Sequence, residues 1–317
     1  MPAISAKAPA KLILLGEHAV IYGHPAIAVP IRSLWLKATC QAAIRQPRGF
    51  TVSAPQLDID GSFSDLPENH PLHTAILLTL QHLAITEMPS VHLHVYANFP
   101  FSSGLGSSAS LAVAVVRALS DFLGHPLDLP TLNALAYQVE ISAHGTPSGV
   151  DNSVTSYNLP IWFVKGQTPQ MLTPGGDFHF VIADTGVKKS TAVTVGELAA
   201  KRQEQPTDIN THYDAIGKIV TQGRAAFEAG DSEEFGRLMT ENQAHLTAVG
   251  VSSAELDNLI SASLQAGALG AKLTGGGRGG FMLALAANSE TKQLSQALLV
   301  AGAKQVIEVP IRPAKWN

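Results

Sequence analysis

The sequence predicts an α+β fold that is divided into two domains. The chain has 317 residues, which is about twice the size of a typical domain, and 45% of them are hydrophobic against 15% charged. Strand-like and helix-like segments both occur, but they lack the regular strand–helix alternation of a doubly wound sheet. We expect the two domains to span 1–187 and 188–317.

The elements of the first domain are predicted from apolar periodicity and turn residues. Glycine and proline interrupt short apolar runs over 8–30, which indicates strands joined by a tight turn. Apolar residues at every second position continue a strand over 31–45, and helical spacing predicts a helix over 71–85 with Asn69 as its cap. The other predicted elements are short strands within 46–66, strands over 91–96, 161–164 and 178–183, and helices over 107–122 and 129–144.

The pattern becomes mainly helical from about residue 190 onward, which is why we place the domain boundary there. A glycine-rich loop over 275–280 separates two predicted strands of this second domain. The predicted helices span 192–204, 208–229, 231–248, 253–266 and 289–302. The predicted strands span 271–273, 281–286 and 305–309.

Charge and composition exclude several classes of protein. The net charge of −4 gives no bulk attraction for nucleic acid or for an anionic membrane, and no apolar run reaches the roughly 18 residues of a membrane span. Cys40 is the single cysteine, which favours a reducing compartment. Glu17 and His18 interrupt the apolar start of the chain, so we predict no signal peptide. We therefore expect a cytoplasmic protein without nucleic-acid or membrane partners.

A glycine-serine segment over 104–110 lies between a predicted strand and a long predicted helix. Glycine lets the backbone approach a ligand closely, and the first amides of a helix lack intrahelical acceptors and carry the positive end of its dipole. The segment therefore predicts an anion site of the kind that binds phosphate.

Two other interpretations of this segment stay open at this point. It could be only a helix start, because serine is a favoured cap. It also fits a dinucleotide fingerprint, with Gly104, Gly106 and Ala109 in the required places. We disfavour the fingerprint because a strand-rich opening precedes it, and because a second match over 275–280 shows how unspecific the pattern is. The P-loop pattern is absent from the sequence.

Three charged residues are candidates for chemistry at a phosphate site. Asp151 follows a tight loop over 144–149 and could accept a proton from a substrate hydroxyl, although an aspartate that balances a helix dipole is the common alternative. Glu140 could bind Mg²⁺, or could simply face solvent. Lys11 lies in an apolar strand and could stabilise Asp151, or could be a surface lysine.

The combination of motifs resembles the GHMP kinases. Residues 9–23, with Pro-Ala-Lys and Gly-Glu-His-Ala-Val, are similar to the first motif of that family. Residues 100–110 resemble its second, phosphate-binding motif, and residues 272–280 resemble its third. The motifs occur in the family's order, so the resemblance covers essentially the whole chain. Residues 16–20 and 144–152 are most similar to the mevalonate kinases within this superfamily.

The resemblance implies a fold, a reaction and a set of site residues. It implies a ribosomal-protein-S5-like N-terminal domain, a ferredoxin-like helical C-terminal domain, and an active site in the cleft between them. The implied reaction transfers the γ-phosphoryl group of ATP to the C5 hydroxyl of (R)-mevalonate with Mg²⁺ as cofactor. Because relatives commonly form dimers, the resemblance also implies a homodimer. Asp151 would be the general base and Lys11 its electrostatic partner. The implied Mg²⁺ ligands are Ser108 and Glu140. The implied substrate-binding residues are Glu17, His18, Asp151 and Thr191. The implied ATP-binding residues are Pro100, Ser102, Ser103, Gly104, Leu105, Gly106, Ser107, Ser108 and Ala109.

One departure from the family pattern and several rival functions remain. Many members have Gly-Ala-Gly-Gly-Gly in the third motif, whereas this chain has Arg278 after three glycines, so Arg278 could touch phosphate or face solvent. The rivals are a phosphomevalonate, homoserine or sugar kinase, a related ATP-dependent decarboxylase, and a non-catalytic binding protein with the same fold.

Overall fold

The computed structural model describes residues 2–43, 49–101, 104–188, 191–287 and 290–313. The chain divides into two compact units. The first unit consists of Met1–Lys11 and Pro30–Asn158, and the second consists of Leu12–Val29 and Leu159–Asn317. Strands β1 (Ile4–Leu15) and β2 (Ala26–Ala42) each contribute residues to both units. These units are groups of mutually contacting residues, and the domain boundary near 187 stays a prediction.

The sheet of the first unit runs in the order β4-β3-β5-β2. Its members besides the end of β2 are β3 (Thr51–Ala54), β4 (Ile59–Ser62) and β5 (Val91–Ala97). Strand β5 lies antiparallel to β2, with Leu36 opposite Ala97, and parallel to β3. Alternate residues of β2 and β5 are buried, as the period-two pattern predicts for a sheet with one face in the core.

The helices of the first unit pack around one apolar helix. They are α1 (Pro71–His82), α2 (Ser107–Phe122), α3 (Leu129–His144) and α4 (Val150–Tyr157). Helix α2 contacts each of the other three and is buried along nearly its whole length. The predicted cap of α1 was wrong: the His70 side chain, not Asn69, accepts the hydrogen bond from the Leu72 amide. His70 can do this because a ring nitrogen without a proton is an acceptor.

The second unit contains a four-stranded antiparallel sheet in the order β11-β8-β10-β9. The N-terminal part of β2 pairs with β6 (Ile161–Phe163), which pairs with β7 (Gln170–Met171). The strands of the four-stranded sheet are β8 (Phe178–Asp184), β9 (Ala268–Leu273), β10 (Phe281–Ala286) and β11 (Gln305–Ile311). The helices are α5 (Thr191–Glu204), α6 (Pro206–Ala229), α7 (Ser232–Val249), α8 (Ala254–Gln265) and α9 (Thr291–Val300).

Four phenylalanines form the centre of the core of the second unit. Phe178 stacks on Phe227 at a centroid distance of 5.0 Å and meets Phe235 edge-on at 5.5 Å, with Phe180 alongside. Helix α7 packs closely on β9, where Gly236 and Gly270 face each other without room for a Cβ atom. The prediction of an α+β fold is confirmed. No helix in the part of the chain that the structure describes combines the length and apolar character needed to cross a membrane.

Candidate active site

The glycine-serine turn of the first unit is built against Lys11. Gly106 precedes α2 with φ of 76°, a conformation that glycine adopts without strain. A Cβ atom at this position would lie 2.5 Å from Lys11 Cγ, so only glycine leaves room for the lysine side chain. The Lys11 amide donates to the Leu105 carbonyl at 2.9 Å. The turn and the strand β1 are therefore fixed to each other by backbone and side-chain contacts.

The buried start of α2 is anchored to the same strand. Ser110 Oγ donates to the Pro9 carbonyl at 2.7 Å and lies 3.0 Å from the Gly106 carbonyl. Ala109 is fully buried, so the predicted phosphate loop continues into a helix that is packed into the core from its first turn. A helix start held in this way offers backbone amides to an anion without reorganisation.

Lys11 and Asp151 form an ion pair. Lys11 Nζ lies 3.0 Å from Asp151 Oδ1, and their side chains are 5% and 29% exposed. Asp151 is in the first turn of α4, after Gly149 with φ of 95°, and Ser148 Oγ accepts from the Val150 amide at 3.3 Å. The alternative that Lys11 is a surface lysine is wrong, because the residue is 4% exposed. The pair places a buried cation beside a carboxylate that still reaches solvent.

Glu140 and Ser108 supply oxygen atoms that lack partners. Glu140 is 4% exposed, which corrects the alternative of a solvent-facing glutamate. Burial, together with the negative charge of Asp151, raises the pKa of Glu140 to about 7, while Ser108 and Lys11 oppose the shift. Ser108 Oγ and Glu140 Oε1 are buried and form no hydrogen bond of good geometry among the described residues, although the two side chains are close enough for Ser108 to lower the pKa of Glu140. His144 Nε2 lies 4.0 Å from Glu140 Oε2, one helical turn away.

The second unit contains a buried ion pair next to the Gly-Glu-His segment. Lys272 Nζ donates to Glu17 Oε1 and, at 2.6 Å, to the Leu273 carbonyl; the two charged side chains are 0% and 1% exposed. The Gly16 amide donates to Asn242 Oδ1 at 3.2 Å, and Thr274 Oγ1 donates to the Ile13 carbonyl at 3.0 Å. The Gly-Glu-His segment is thus attached to the strand that leads into the third glycine motif.

His18 is held in an uncommon conformation. Its φ is 61° and its ψ is −50°, which is strained for a residue with a Cβ atom. Burial lowers the pKa of His18 to about 4; a hydrogen bond to the Gly276 backbone opposes this shift, and the charges of Lys272 and Arg278 add to it. His18 Nε2 is buried without a partner among the described residues. The imidazole is therefore neutral at pH 7.

The other predicted site residues are placed as follows. Thr191 is the first residue of α5 and lies against Gly276. A Cβ atom added to Gly276 would be 2.8 Å from Thr191 Oγ1, so only glycine fits there. Pro100 is exposed. Ser102 and Ser103 lie outside the described residues.

Comparisons with known proteins agree with this arrangement of motifs. The family model of the GHMP kinases N-terminal domain matches residues 70–158, and that of the GHMP kinases C-terminal domain matches residues 224–301. Mevalonate kinase of Pyrococcus furiosus is 32% identical, in an alignment covering 96% of this chain and 95% of that protein. The chain belongs to the mevalonate kinase family.

Solved structures of this family share the fold over nearly the whole chain. The structure of L. major mevalonate kinase in complex with R-mevalonate has a TM-score of 0.83 and 29% identity, and covers 98% of this chain and 96% of that one. Mevalonate kinase of Methanococcus jannaschii has a TM-score of 0.84 and 25% identity, with 98% of each chain covered. The prediction of a two-domain GHMP kinase fold is confirmed.

An amide pair that the sequence did not predict, Asn133 and Asn152, joins the two helices that carry Glu140 and Asp151. Asn152 is 2% exposed, and its Nδ2 donates to Asn133 Oδ1 at 2.7 Å, with the Asn133 carbonyl at 3.4 Å. Asn133 Nδ2 in turn donates to Ser153 Oγ at 3.4 Å. The pair joins α3, which carries Glu140, to the first turn of α4, which carries Asp151. No periodic pattern marks Asn133, because it is one of several polar residues on its helix.

Lys272 was also not predicted as a site residue. The signal that marks Lys11, a lysine within an apolar stretch of strand, could have found it. Both lysines occur in stretches of strand that are otherwise apolar or small, over 8–15 and 268–273. A lysine at a buried strand position needs a carboxylate partner, because an unpaired buried charge is costly. Lys11 has Asp151 and Lys272 has Glu17 as that partner.

Proposed function

We propose that this chain catalyses transfer of the γ-phosphoryl group of ATP to the C5 hydroxyl of (R)-mevalonate, which gives 5-phosphomevalonate. Its membership of the mevalonate kinase family supports this reaction. The observation that carries the chemistry is the Lys11–Asp151 ion pair beside the glycine turn of residues 104–106.

The start of α2 is the proposed site for the ATP phosphates. Residues 104–109 turn sharply into the helix, where the first backbone amides and the positive end of the helix dipole favour an anion. This arrangement suits a chain of net charge −4, which has no general excess of cations to attract a polyphosphate. Pro100, Ser102 and Ser103 stay predicted neighbours of the nucleotide.

Asp151 is the proposed general base. Its carboxylate is partly exposed and can accept the proton of the C5 hydroxyl, while the buried Lys11 ammonium lies 3.0 Å from it. Phosphoryl transfer requires little covalent assistance, so positioning and charge stabilisation account for most of the rate. The Lys11 ammonium also stabilises negative charge that develops nearby during transfer.

Ser108 and Glu140 are the proposed protein ligands of Mg²⁺. Their unpartnered buried oxygens fit a hard cation, which prefers oxygen donors. When bound, Mg²⁺ supplies positive charge that offsets the charge of the phosphates.

Glu17, His18 and Thr191 stay the predicted contacts of mevalonate. Because His18 is neutral at pH 7, it would interact with the substrate through hydrogen bonding rather than through charge. A cytoplasmic homodimer is also part of the proposal, and light scattering of the purified protein tests the oligomeric state.

The experiment is an assay of ADP release with ATP and Mg²⁺. We expect turnover with (R)-mevalonate and little with phosphomevalonate, homoserine or galactose. Turnover with one of those three instead assigns the chain to a different acceptor. Release of CO₂ from a diphosphorylated substrate would indicate a decarboxylase, and nucleotide binding without ADP release would indicate a non-catalytic protein.

A further inference from the structure

Arg278 connects the third glycine motif to two other segments of the second unit. Its backbone amide donates to the Val251 carbonyl at 2.8 Å, and its Nε donates to the Gly250 carbonyl at 3.2 Å. Its Nη1 forms an ion pair with Glu197 Oε2. Gly250 ends α7 and Glu197 lies near the middle of α5. The guanidinium thus binds the end of one helix and the side of another.

Helix α5 depends on such polar contacts for its position. Among its described side chains only those of Thr194 and Leu198 are buried, so apolar packing fixes little of the helix. Its C-terminal part has two polar attachments. Lys201 Nζ donates to the Val249 carbonyl at 3.2 Å, and Arg202 lies 4.2 Å above the Tyr22 ring and donates to Asn210. The contact with Arg278, at Glu197, lies between Thr191 and these C-terminal attachments.

The start of α5 carries Thr191, which lies against Gly276 of the third glycine motif. We propose that Arg278 is a positioning residue for the acceptor substrate: by binding Glu197 it holds α5 so that Thr191 stays at the glycine motif. This inference rests on the proposed function, because Thr191 is a predicted mevalonate contact. It gives a role to the residue at which this chain departs from the glycine-rich family pattern.

The competing role for Arg278 is a direct contact with ATP phosphate. Two of its donor atoms are already engaged, Nε by a carbonyl and Nη1 by a carboxylate. A guanidinium that is neutralised by Glu197 has less attraction for a polyphosphate. The two roles predict different kinetic effects of replacing Arg278. Loss of Thr191 positioning raises KM for the acceptor substrate, whereas loss of a phosphate contact raises KM for ATP.

The test compares Arg278→Gly and Glu197→Gln with the wild type in steady-state kinetics. Arg278 has φ of 57°, so glycine removes the guanidinium and suits the backbone conformation better than arginine does. We expect each variant to raise KM for mevalonate about three- to tenfold with kcat and KM for ATP little changed. The double variant should be no worse than either single one, because both remove the same contact.

Two further variants make the result decisive. Glu204→Gln is the matched control, since it removes the same charge from an exposed position of α5 that makes no ion pair among the described residues. It should leave KM unchanged. The charge exchange Arg278→Glu with Glu197→Arg should restore part of the affinity that Arg278→Glu alone loses. An unchanged KM for mevalonate in Arg278→Gly, or a raised KM for ATP that Glu197→Gln does not share, overturns the inference. Absence of mevalonate turnover in the wild type would instead refute the proposed function.

Discussion

Lys11 Nζ lies 3.0 Å from Asp151 Oδ1, and the two side chains differ in exposure. The lysine is 5% exposed, whereas the aspartate is 29% exposed. The carboxylate therefore has one side open to a reactant and the other against a buried cation. This asymmetry suits a general base, which must reach a substrate proton while a fixed positive charge lies beside the reacting groups.

The first prediction concerns the proposed base. Asp151→Asn keeps the size of the side chain but removes its capacity to accept a proton. We expect kcat to fall about 10²- to 10⁴-fold, the usual contribution of general base catalysis, while nucleotide affinity measured by calorimetry changes little. Asp60→Asn, at an exposed position of β4, is the control and should behave like the wild type. Near-normal turnover of Asp151→Asn would remove this residue from the base role.

The second prediction concerns the space that Gly106 leaves for Lys11. Gly106→Ala places a methyl group 2.5 Å from Lys11 Cγ and also strains the backbone, since φ is 76°. We expect stability to fall by about 1–3 kcal/mol and kcat to fall about tenfold or more, because the lysine is displaced from Asp151.

Gly124→Ala separates these two effects. Gly124 has a similar φ of 81°, but a Cβ atom there would meet no atom within 4 Å. This variant should show the backbone strain alone, with normal kcat. Equal kinetic effects of the two substitutions would mean that the contact with Lys11 has no influence on catalysis.

The sequence predicted most of the elements because their signals are local. Helix α2 is marked by its continuous apolar pattern, and α3 by apolar residues that recur among polar ones over 129–144. The cluster of Lys11, Ser108, Glu140 and Asp151 was predicted only through the resemblance to a family. These residues are up to 140 positions apart in the sequence, and no periodicity reports such a distance. Asn133 was missed for the same reason, since its role depends on a partner from another element. Lys272 differs, because a lysine in the otherwise apolar or small strand β9 is a local signal that the sequence does contain.

The third prediction concerns the amide pair between α3 and α4. Asn133→Ala removes the acceptor of Asn152 Nδ2 and frees the first turn of α4, which carries Asp151. We expect kcat to fall about tenfold with KM for ATP unchanged, because small shifts of a catalytic group are costly. Asn133→Asp keeps the acceptor and should recover much of the rate.

A double variant distinguishes positioning from general weakening of the fold. If Asn133 acts through Asp151, Asn133→Ala should lower kcat little further in the Asp151→Asn background. Gln138→Ala, at an exposed position of α3, is the matched control. Additive losses in the double variant would mean that the amide pair serves stability alone.

The fourth prediction concerns the buried pair of Lys272 and Glu17. Lys272→Met removes the cation that pairs with the Glu17 carboxylate, whose side chain is 1% exposed. Glu17→Gln removes the carboxylate that pairs with the Lys272 ammonium. Each should lower the free energy of unfolding by about 3–5 kcal/mol, whereas the apolar double variant Lys272→Met with Glu17→Leu should regain a large part of it. Urea unfolding measures these differences. Lys292→Met, at an exposed position of α9, should have little effect; if Lys272→Met does no more than this control, the pair is not a determinant of the fold.

The fifth prediction is a pH dependence that comes from His18. Its pKa is lowered by burial from the ordinary value of 6.5 to about 4, so between these values the unfolded chain binds a proton that the folded chain does not. Stability must then rise with pH across this window, and acidification from pH 7 to pH 5 should remove about 2 kcal/mol through this residue. Below about pH 4 both states are protonated and the contribution changes no further.

The variant His18→Asn tests this assignment, because asparagine tolerates positive φ and does not titrate. Its unfolding free energy, measured in urea at several pH values, should fall less steeply between pH 7 and pH 5 than that of the wild type. The two decreases should differ by about 2 kcal/mol. The comparison uses slopes, so any constant loss of stability in the variant cancels. His125→Asn, at an exposed position, should keep the wild-type slope. Parallel profiles for His18→Asn and the wild type would place the acid sensitivity of the fold elsewhere, because the neutral buried imidazole binds its proton only after unfolding and so must contribute to the wild-type slope.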